Sequence, residues 1–376
     1  MPMVACRPNL EEIRHYLVEG ISIRETMEET VFQDIRKIPP GHVFRLDLKD
    51  GSFSVFSWWK LKEEDSELSD HEACEKLSFL LEDSVRLRLR SDVKVGTCLS
   101  GGIDSSTVAY LVNKHLMEVA GYEAGEMQET FSSVFPEDRY READESPYID
   151  YISKALGVRN NKVTPTSRGL LEDMAKLVFH HEEPTDGPSV YAQYCVFSLP
   201  RKRKVIVTLD GQGSDEMTAG YLTYVPVYVL GNLFNHPFVA LREHKNFRDI
   251  VHFSYYLSRL TPFLSRLTNR RLKQLLFSRD LKIKVPIKEF SRPPTLKLDK
   301  VLRQDTFLYS LPTLLRYADR NAMAHSVESR MPFLDFRLVD FLLVLPSSLK
   351  IHGLDQVDPA PNCIPMASTR DPLAAR

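Results

Sequence analysis

The stretch that decides the fold is VKVGTCLSGGIDSSTVAYLVNKHLM, residues 93–117. The short apolar run at 93–99 is typical of a buried strand, and 106–117 has the apolar spacing of a helix. The turn between them contains two adjacent glycines, which allow a close backbone approach that side chains would forbid. Successive N–H groups in such a turn, followed by a helix N-terminus, form a site for an anion. The stretch therefore predicts a strand, a phosphate-binding loop and a helix.

This loop has the donors that a pyrophosphate group requires. The backbone N–H groups of Gly101 and Gly102 are joined by the hydroxyls of Ser100, Ser105 and Ser106. No Gly-Lys-Ser/Thr follows, so the loop is not a Walker loop. We predict that these five residues hold pyrophosphate.

A carboxylate, Asp104, lies within the same loop. An anion beside phosphates requires a cation between them, and Mg²⁺ is the usual one. The alternative is that Asp104 only caps the helix that follows. The strand–turn–helix setting favours the metal-binding interpretation.

A second glycine-rich turn, DGQGSDE at 210–216, follows another buried-strand pattern at 205–209. It brings Asp215 and Glu216 to the carboxyl end of a strand, where open α/β sheets bind their ligands. Asp215 opposite Asp104 would complete the protein's share of a Mg²⁺ shell, with phosphate oxygens and water as the other ligands. The alternative is that Asp215 and Glu216 only cap a helix.

Strand and helix patterns alternate through the middle of the chain. A helical pattern begins near residue 71, a strand pattern covers 130–135, and a further helix pattern covers 146–156. Such alternation is typical of an α/β fold with a doubly wound, mostly parallel sheet.

The flanking parts have different patterns. Two strand patterns, 41–48 and 52–59, surround a turn and indicate a small N-terminal β part. After about residue 221 the sequence is helical, with a loop at 291–294. Residues 354–376 contain several prolines and no periodicity, so we predict a poorly ordered tail.

Composition excludes several classes of protein. The 376 residues carry a net charge of −2, which argues against a nucleic-acid-binding surface. The longest apolar stretch, 225–234, is interrupted by Pro226 and Gly231 and is too short to span a membrane. Five cysteines without a C-x-x-C pair argue against a disulfide framework or a zinc site. They favour a reduced, cytoplasmic setting.

Two adjacent histidines, His180 and His181, precede Glu182 and Glu183 and could suggest a metal site. Adjacent positions cannot share one face of a helix in the i, i+4 manner of metal ligands. We interpret this segment as a surface loop.

The motifs resemble those of a known family. S-G-G-x-D-S looks like the pyrophosphate loop of the ATP-pyrophosphatase (PP-loop) superfamily, and G-Q-G-S-D-E resembles the second signature of the glutamine-hydrolysing asparagine synthetase family. Residues 144–146 (DES), 183–189 (EPTDGPS) and 319–335 (DRNAMAHSVESRMPFLD) are similar to further motifs of that family. The resemblance covers about residues 30–352 and identifies 71–353 as the synthetase domain.

The resemblance implies an adenine nucleotide alpha hydrolase-like fold with a C-terminal helical part, and an enzyme that uses ATP and Mg²⁺. Aspartate would be adenylated on its side-chain carboxylate and then amidated by ammonia. Asp104 and Asp215 would bind Mg²⁺, and Gln212 would face aspartate or AMP. The backbone of Leu99 and Val134, together with Gly211, would border the nucleotide. The resemblance assigns no role to Asp210.

The sequence departs from the family at both ends. The family's glutaminase nucleophile is a cysteine exposed as the first residue after removal of Met, whereas this chain begins Met1-Pro2 and Cys6 is internal. Residues 32–42 (FQDIRKIPPGH) are similar to the end of that glutaminase domain, so 1–62 is interpreted as its remnant. We expect no glutamine hydrolysis. No lysine follows Lys350, where the family has one near the reaction centre, so we expect low or absent activity.

The expected partners are aspartate and ammonia, the latter free or supplied by a separate glutaminase. No nucleic acid or membrane is expected, and a homodimer is compatible with the resemblance. Two alternatives stay open. The chain could be a related amide-forming PP-loop enzyme of the β-lactam synthetase or peptide cyclase type, or a truncated, inactive nucleotide-binding protein.

Overall fold

The computed structural model describes residues 7–19, 28–61, 68–120, 128–137, 144–185, 187–248, 251, 256 and 295–351. The chain divides into two compact units, each built from separate stretches of sequence. We call Met1–Lys62, Ala219–Tyr309 and Pro346–Val357 the hairpin unit. We call Glu63–Thr218, Ser310–Leu345 and Asp358–Arg376 the sheet unit. The domain boundaries expected from the sequence stay predictions.

The strands and helices are numbered in chain order within the described residues. The strands are β1 (His42–Leu46), β2 (Phe53–Ser57), β3 (Val95–Cys98), β4 (Glu129–Ser133), β5 (Arg159–Val163), β6 (Val207–Leu209) and β7 (Glu328–Arg330). The helices before β6 are α1 (Leu10–Glu19), α2 (Asp70–Arg88), α3 (Ile103–Ala120), α4 (Ser146–Leu156), α5 (Ser167–His181) and α6 (Pro188–Phe197). The later helices are α7 (Ser214–Thr218), α8 (Val225–Asn232), α9 (Pro237–Phe247), α10 (Leu298–Phe307), α11 (Leu311–Ala324), α12 (Phe336–Val344) and α13 (Ser347–Lys350).

The sheet unit contains a five-stranded sheet in the order β5-β4-β3-β6-β7. Every neighbouring pair in it is parallel. Helices follow the strands along the chain, as parallel connections require. The predicted α/β fold with a parallel sheet is confirmed.

Apolar side chains pack the sheet against several helices. Leu99 and Val134 pack with Ala109 of α3 and Ile149 of α4. A second cluster joins Phe131 and Val205 to Val196 of α6. A third joins Phe197 of α6 to Ala322 of α11 and to Val327. Strands buried in this way have apolar runs in place of alternation, and for this reason β3 and β6 could be recognised in the sequence.

The hairpin unit contains the predicted N-terminal β part. β1 and β2 pair in antiparallel fashion, with His42 opposite Ser57 and Leu46 opposite Phe53. The turn between them includes Gly51 at φ +73°, a conformation that glycine adopts without strain. The sequence did not predict α1, which lies in the part expected to be β-rich.

Two expectations are corrected by the structure, and two lie outside the described residues. The interpretation of His180 and His181 as a loop is wrong, because both end α5. The purely helical interpretation beyond residue 221 missed β7. The loop at 291–294 and the tail at 354–376 lie outside the described residues.

Two general expectations can be compared with the structure. No helix within the described ranges is long and apolar enough to cross a membrane. Cys98 and Cys195 are free thiols, whereas Cys74 is disulfide-bonded. The disulfide at Cys74 departs from the expectation that the cysteines are reduced.

Candidate active site

The strand order brings the two glycine-rich loops to the same edge of the sheet. β3 and β6 are parallel neighbours, with Thr97 opposite Leu209. The loop at 99–106 leaves the carboxyl end of β3, and the loop at 210–216 leaves the carboxyl end of β6. The two loops therefore start side by side. They lie at the carboxyl ends of the strands, where open α/β sheets bind their ligands.

The two loops are in direct contact through a glycine. A Cβ atom at Gly211 would lie 2.8 Å from the backbone N of Ser105 and 3.0 Å from the carbonyl carbon of Asp104. The first distance is shorter than real Cβ contacts show, and the second is tighter than nine in ten of them. Only glycine at position 211 lets the second loop pack this closely on the first turn of α3.

We expect Gly211→Ala to push the two loops apart and to lower the free energy of unfolding by about 1–3 kcal/mol, the usual cost of overpacking. The neighbours are backbone atoms, which cannot move aside as a flexible side chain can. Gly102→Ala is the matched control, because a Cβ there meets only the Ser100 hydroxyl at 3.5 Å. Urea unfolding of both variants measures the difference, and equal losses would contradict the steric argument.

The serine hydroxyls of the first loop shape the loop itself. Ser105 Oγ and Ser106 Oγ donate to the carbonyl of Gly102 at 3.1 and 2.7 Å. The N–H of Ser100 donates to Ser105 Oγ at 3.2 Å. These bonds fix the loop at the N-terminus of α3, where the helix presents its first N–H groups and partial positive charge to an anion.

A third loop, which carries the DES motif, packs on the first. Gly101 has φ +91°, and a Cβ there would be 3.2 Å from both the Cβ and the carbonyl oxygen of Glu145. Asp144 shapes the third loop by accepting from the N–H of Phe135 at 3.1 Å and from the hydroxyl of Ser146 at 2.6 Å. The DES motif therefore lies beside the predicted pyrophosphate site.

The two predicted metal ligands lie in the first turns of neighbouring helices. Asp104 is in the first turn of α3 and Asp215 in the first turn of α7, and both side chains are partly exposed. The adjacent Glu216 is buried and accepts from Ser310 Oγ at 2.8 Å. Asp215 is therefore the carboxylate of this pair that can face a ligand, and Glu216 anchors α7.

Two carboxylates, those of Asp104 and Asp215, fit a metal ion that takes its other ligands from substrate phosphates and water. In the part of the chain that the structure describes, no group of three or more His, Cys, Asp or Glu could hold a metal ion. Mg²⁺ is commonly bound by one or two carboxylates together with substrate phosphates and water. Asp104 and Asp215 would supply the protein's share of such a shell.

The remaining predicted nucleotide contacts have different environments. The side chains of Leu99 and Val134 are buried in the core. Leu99 uses its N–H to bond Phe131 O at 2.9 Å, and its carbonyl accepts from Ser132 Oγ. The N–H of Val134 bonds Val163 O at 2.9 Å. Gln212 is partly exposed in the second loop.

Sequence reasoning missed the residue that anchors the EPTDGPS motif at 183–189. Arg316 of α11 donates from Nη1 to Glu183 Oε2 at 2.5 Å and from Nη2 to the carbonyl of Pro184 at 2.9 Å. One turn later, Asn321 donates to the carbonyl of Val190 at 3.0 Å, and its Oδ1 bonds His181 Nε2 at 2.8 Å. No signal in the sequence indicated the role of Arg316, because a charged residue on an amphipathic helix usually indicates a solvated face.

These features define an α/β protein with two glycine-rich loops in contact at the carboxyl edge of a parallel sheet. The chain belongs to the asparagine synthase family, because the model of that family matches residues 76–356. The family resemblance inferred from the motifs is thereby confirmed.

The chain is similar to two asparagine synthetases of Bacillus subtilis (strain 168), both described as glutamine-hydrolysing. It is 26% identical to asparagine synthetase 3 over 358 residues, covering 89% of this chain and 52% of that protein. It is 25% identical to asparagine synthetase 1 over 342 residues, covering 85% and 51%. The chain spans about half the length of these curated relatives.

Among solved structures, the NH3-dependent NAD synthetase from Campylobacter jejuni covers 64% of this chain, and 96% of that protein is matched. The two are 13% identical, with a TM-score of 0.28. A similarity this low adds nothing to the fold described above.

Proposed function

We propose that the chain is an amide-forming ligase that activates the side-chain carboxylate of aspartate with ATP and amidates it with ammonia. The observation that carries the proposal is the close packing of Gly211 on Asp104 and Ser105. It joins two phosphate-facing loops at the edge of the sheet where ligands bind. Membership of the asparagine synthase family supports the same reaction.

The reaction has two steps. A carboxylate oxygen of aspartate attacks the α-phosphorus of ATP, the bond to the bridging oxygen breaks, and pyrophosphate leaves with that electron pair. Ammonia then attacks the acyl carbon, AMP leaves, and the nitrogen loses a proton to give asparagine.

The first step brings an anion to a polyanion. Two like charges 4 Å apart repel by about 1 kcal/mol in water and about 4 kcal/mol at an effective dielectric constant of 20. Mg²⁺ bound by Asp104 and Asp215 would screen this repulsion and stabilise the charge that develops on pyrophosphate. The N–H groups of the loop at 100–102 and of the first turn of α3 would add fixed donors to the same oxygens.

The remaining loops suit the acceptor side of the reaction. The DES loop packs on the pyrophosphate loop through Gly101. The loop that begins at Glu183 is held by Arg316. Gln212, partly exposed between the two glycines of the second loop, is proposed to contact aspartate or AMP.

The test supplies Mg-ATP and aspartate with either ammonium or glutamine, and measures AMP, pyrophosphate and asparagine. We expect the three products in equal amounts with ammonium and no asparagine with glutamine. AMP formation with a different carboxylic acid, but not with aspartate, would instead favour the β-lactam synthetase or peptide cyclase type. Nucleotide binding without AMP formation from any acid tried would favour an inactive nucleotide-binding protein.

A further inference from the structure

A buried carboxyl group immediately precedes Gly211 of the candidate site. Asp210 follows β6 and begins the second loop, and only 4% of its surface is exposed. Its N–H donates to the carbonyl of Arg330 at 2.8 Å and so extends the pairing of β6 with β7. The motif resemblance assigned this residue no role, yet it immediately precedes Gly211.

The Asp210 side chain contacts the strands on both sides of β6. Ser329 in β7 donates its hydroxyl to Oδ2 of Asp210. On the other side, Cys98 at the end of β3 interacts with the carboxyl through its thiol and its backbone. Oδ1 of Asp210 is buried and has no hydrogen bond with any described residue. One side chain thus links the carboxyl ends of three adjacent strands.

The surroundings of Asp210 differ from those of a structural ion in the same sheet. Glu129 begins β4 and is paired with both Lys94 and Arg203 at 2.8 and 2.7 Å. Burial alone would raise the pKa of Glu129, but these partners lower it to about 2. Asp210 has no ion-pair partner in the described part of the chain, and burial raises its pKa against the opposing effect of Cys98 and Ser329. Asp210 therefore cannot be explained as one half of an ion pair, as Glu129 can.

The position of Asp210 supplies an explanation. The next residue, Gly211, is the one that packs on Ser105, and Cys98 precedes the pyrophosphate loop by a single residue. We infer that Asp210 is a positioning residue whose side chain ties β3, β6 and β7 together and so sets the distance between the two phosphate-facing loops. This inference rests on the proposed function, which supplies the identity of the ligand at these loops.

The test uses magnesium pyrophosphate as the probe and measures its binding to the full chain by calorimetry. Asp210→Ala removes the link, and Asp210→Asn keeps an acceptor for Ser329 in the same place. We expect Asp210→Ala to weaken binding about 10-fold or more, as for other residues that orient ligand-contacting groups from behind. Asp210→Asn is expected to restore binding to within about 3-fold of wild type.

Asn113→Ala is the matched control for a purely structural effect. Asn113 in α3 is also buried, at 6% exposed, and donates one side-chain hydrogen bond, to the carbonyl of Leu156 at 3.1 Å. We expect this variant to unfold at lower urea concentration but to bind the probe like wild type. Equal weakening by Asn113→Ala and Asp210→Ala would overturn the inference, because loss of any buried hydrogen bond would then suffice.

The remaining outcomes separate this inference from the proposed function. Wild-type binding together with unchanged binding by Asp210→Ala would overturn the inference alone. A wild-type protein that binds no magnesium pyrophosphate would overturn the proposed function, and the inference with it. Weak binding by Asp210→Ala with recovery in Asp210→Asn would support both.

Discussion

Replacement of Arg316 by methionine is expected to lower the free energy of unfolding by about 3–5 kcal/mol, the cost of breaking a buried ion pair from one side. The side chains of Arg316 and Glu183 are 10% and 6% exposed, and their charged atoms are 2.5 Å apart. Methionine fills much of the same space but leaves the Glu183 carboxylate in a poorly solvated site without this cation. Urea unfolding monitored by circular dichroism measures the loss.

Arg320→Met is the matched control in the next turn of the same helix. Arg320 pairs with Glu182 at 2.9 Å, but these side chains are 37% and 54% exposed. Exposed ion pairs contribute roughly 0–1 kcal/mol to stability, so we expect Arg320→Met to lower the free energy of unfolding only slightly. The double variant Arg316→Met with Glu183→Gln should recover much of the stability, because it removes the uncompensated charge. Similar losses in both single variants would contradict the argument from burial.

The late motif at 319–335 and the residues next to it bond to distant parts of the sheet unit. α11 anchors the loop before α6 through Arg316 and Asn321. The chain then forms β7, where Ser329 bonds Asp210. It continues to Pro332, whose carbonyl accepts from Ser84 Oγ of α2 at 2.6 Å. The motif resembles a family signature in sequence, and its residues bond to α6, to Asp210 and to α2.

The sequence was informative where the fold depends on local chemistry. β3 and β6 are short apolar runs, each followed by glycines that a close backbone approach requires, and both were predicted together with their loops. The hairpin of β1 and β2 was also predicted, because turn residues separate two strand patterns. Membership of the family followed from motifs in the right order.

The sequence was uninformative where the structure depends on distant partners. β7, Glu328–Arg330, has no apolar run, and its pairing with β6 rests on backbone bonds such as Glu328 N to Ile206 O at 2.8 Å. An edge strand of three polar residues leaves no periodic signal. Neither the link from Ser329 to Asp210 nor that from Arg316 to Glu183 could be read from spacing, since each joins residues more than a hundred positions apart.

The helix α5 was missed for a different reason. The polar run from His180 to Glu183 resembles a loop, but its two histidines end a helix. The N-terminus of this helix is capped by Thr166, which accepts from Gly169 N at 3.0 Å. Leu177 packs into the core on the inner face of α5. The helix ends at His181, and Glu182, the next residue, has φ +58°. The threonine cap was the signal that the sequence interpretation overlooked.

Asp104→Asn is expected to reduce aspartate-dependent ATP–pyrophosphate exchange about 100-fold or more, the typical loss when one group that stabilises developing charge is removed. Asparagine has nearly the shape of aspartate and is tolerated at a helix N-terminus, so the fold should be unchanged. If Asp104 binds Mg²⁺, the variant should also require a higher Mg²⁺ concentration, because a neutral amide oxygen is a weaker ligand for a hard cation. ATP–pyrophosphate exchange measured over a range of Mg²⁺ concentrations gives both quantities.

Asp92→Asn makes the same change of charge near the opposite end of β3. Asp92 is exposed and precedes the strand, whereas Asp104 follows it, so the two positions lie at opposite edges of the sheet. Long-range effects of one lost negative charge should be similar in both variants and largely screened at physiological salt. A large loss confined to Asp104→Asn therefore requires a local role at the phosphates. Exchange within about twofold of wild type in Asp104→Asn would remove the metal-binding role, since loss of a direct ligand cannot be that small.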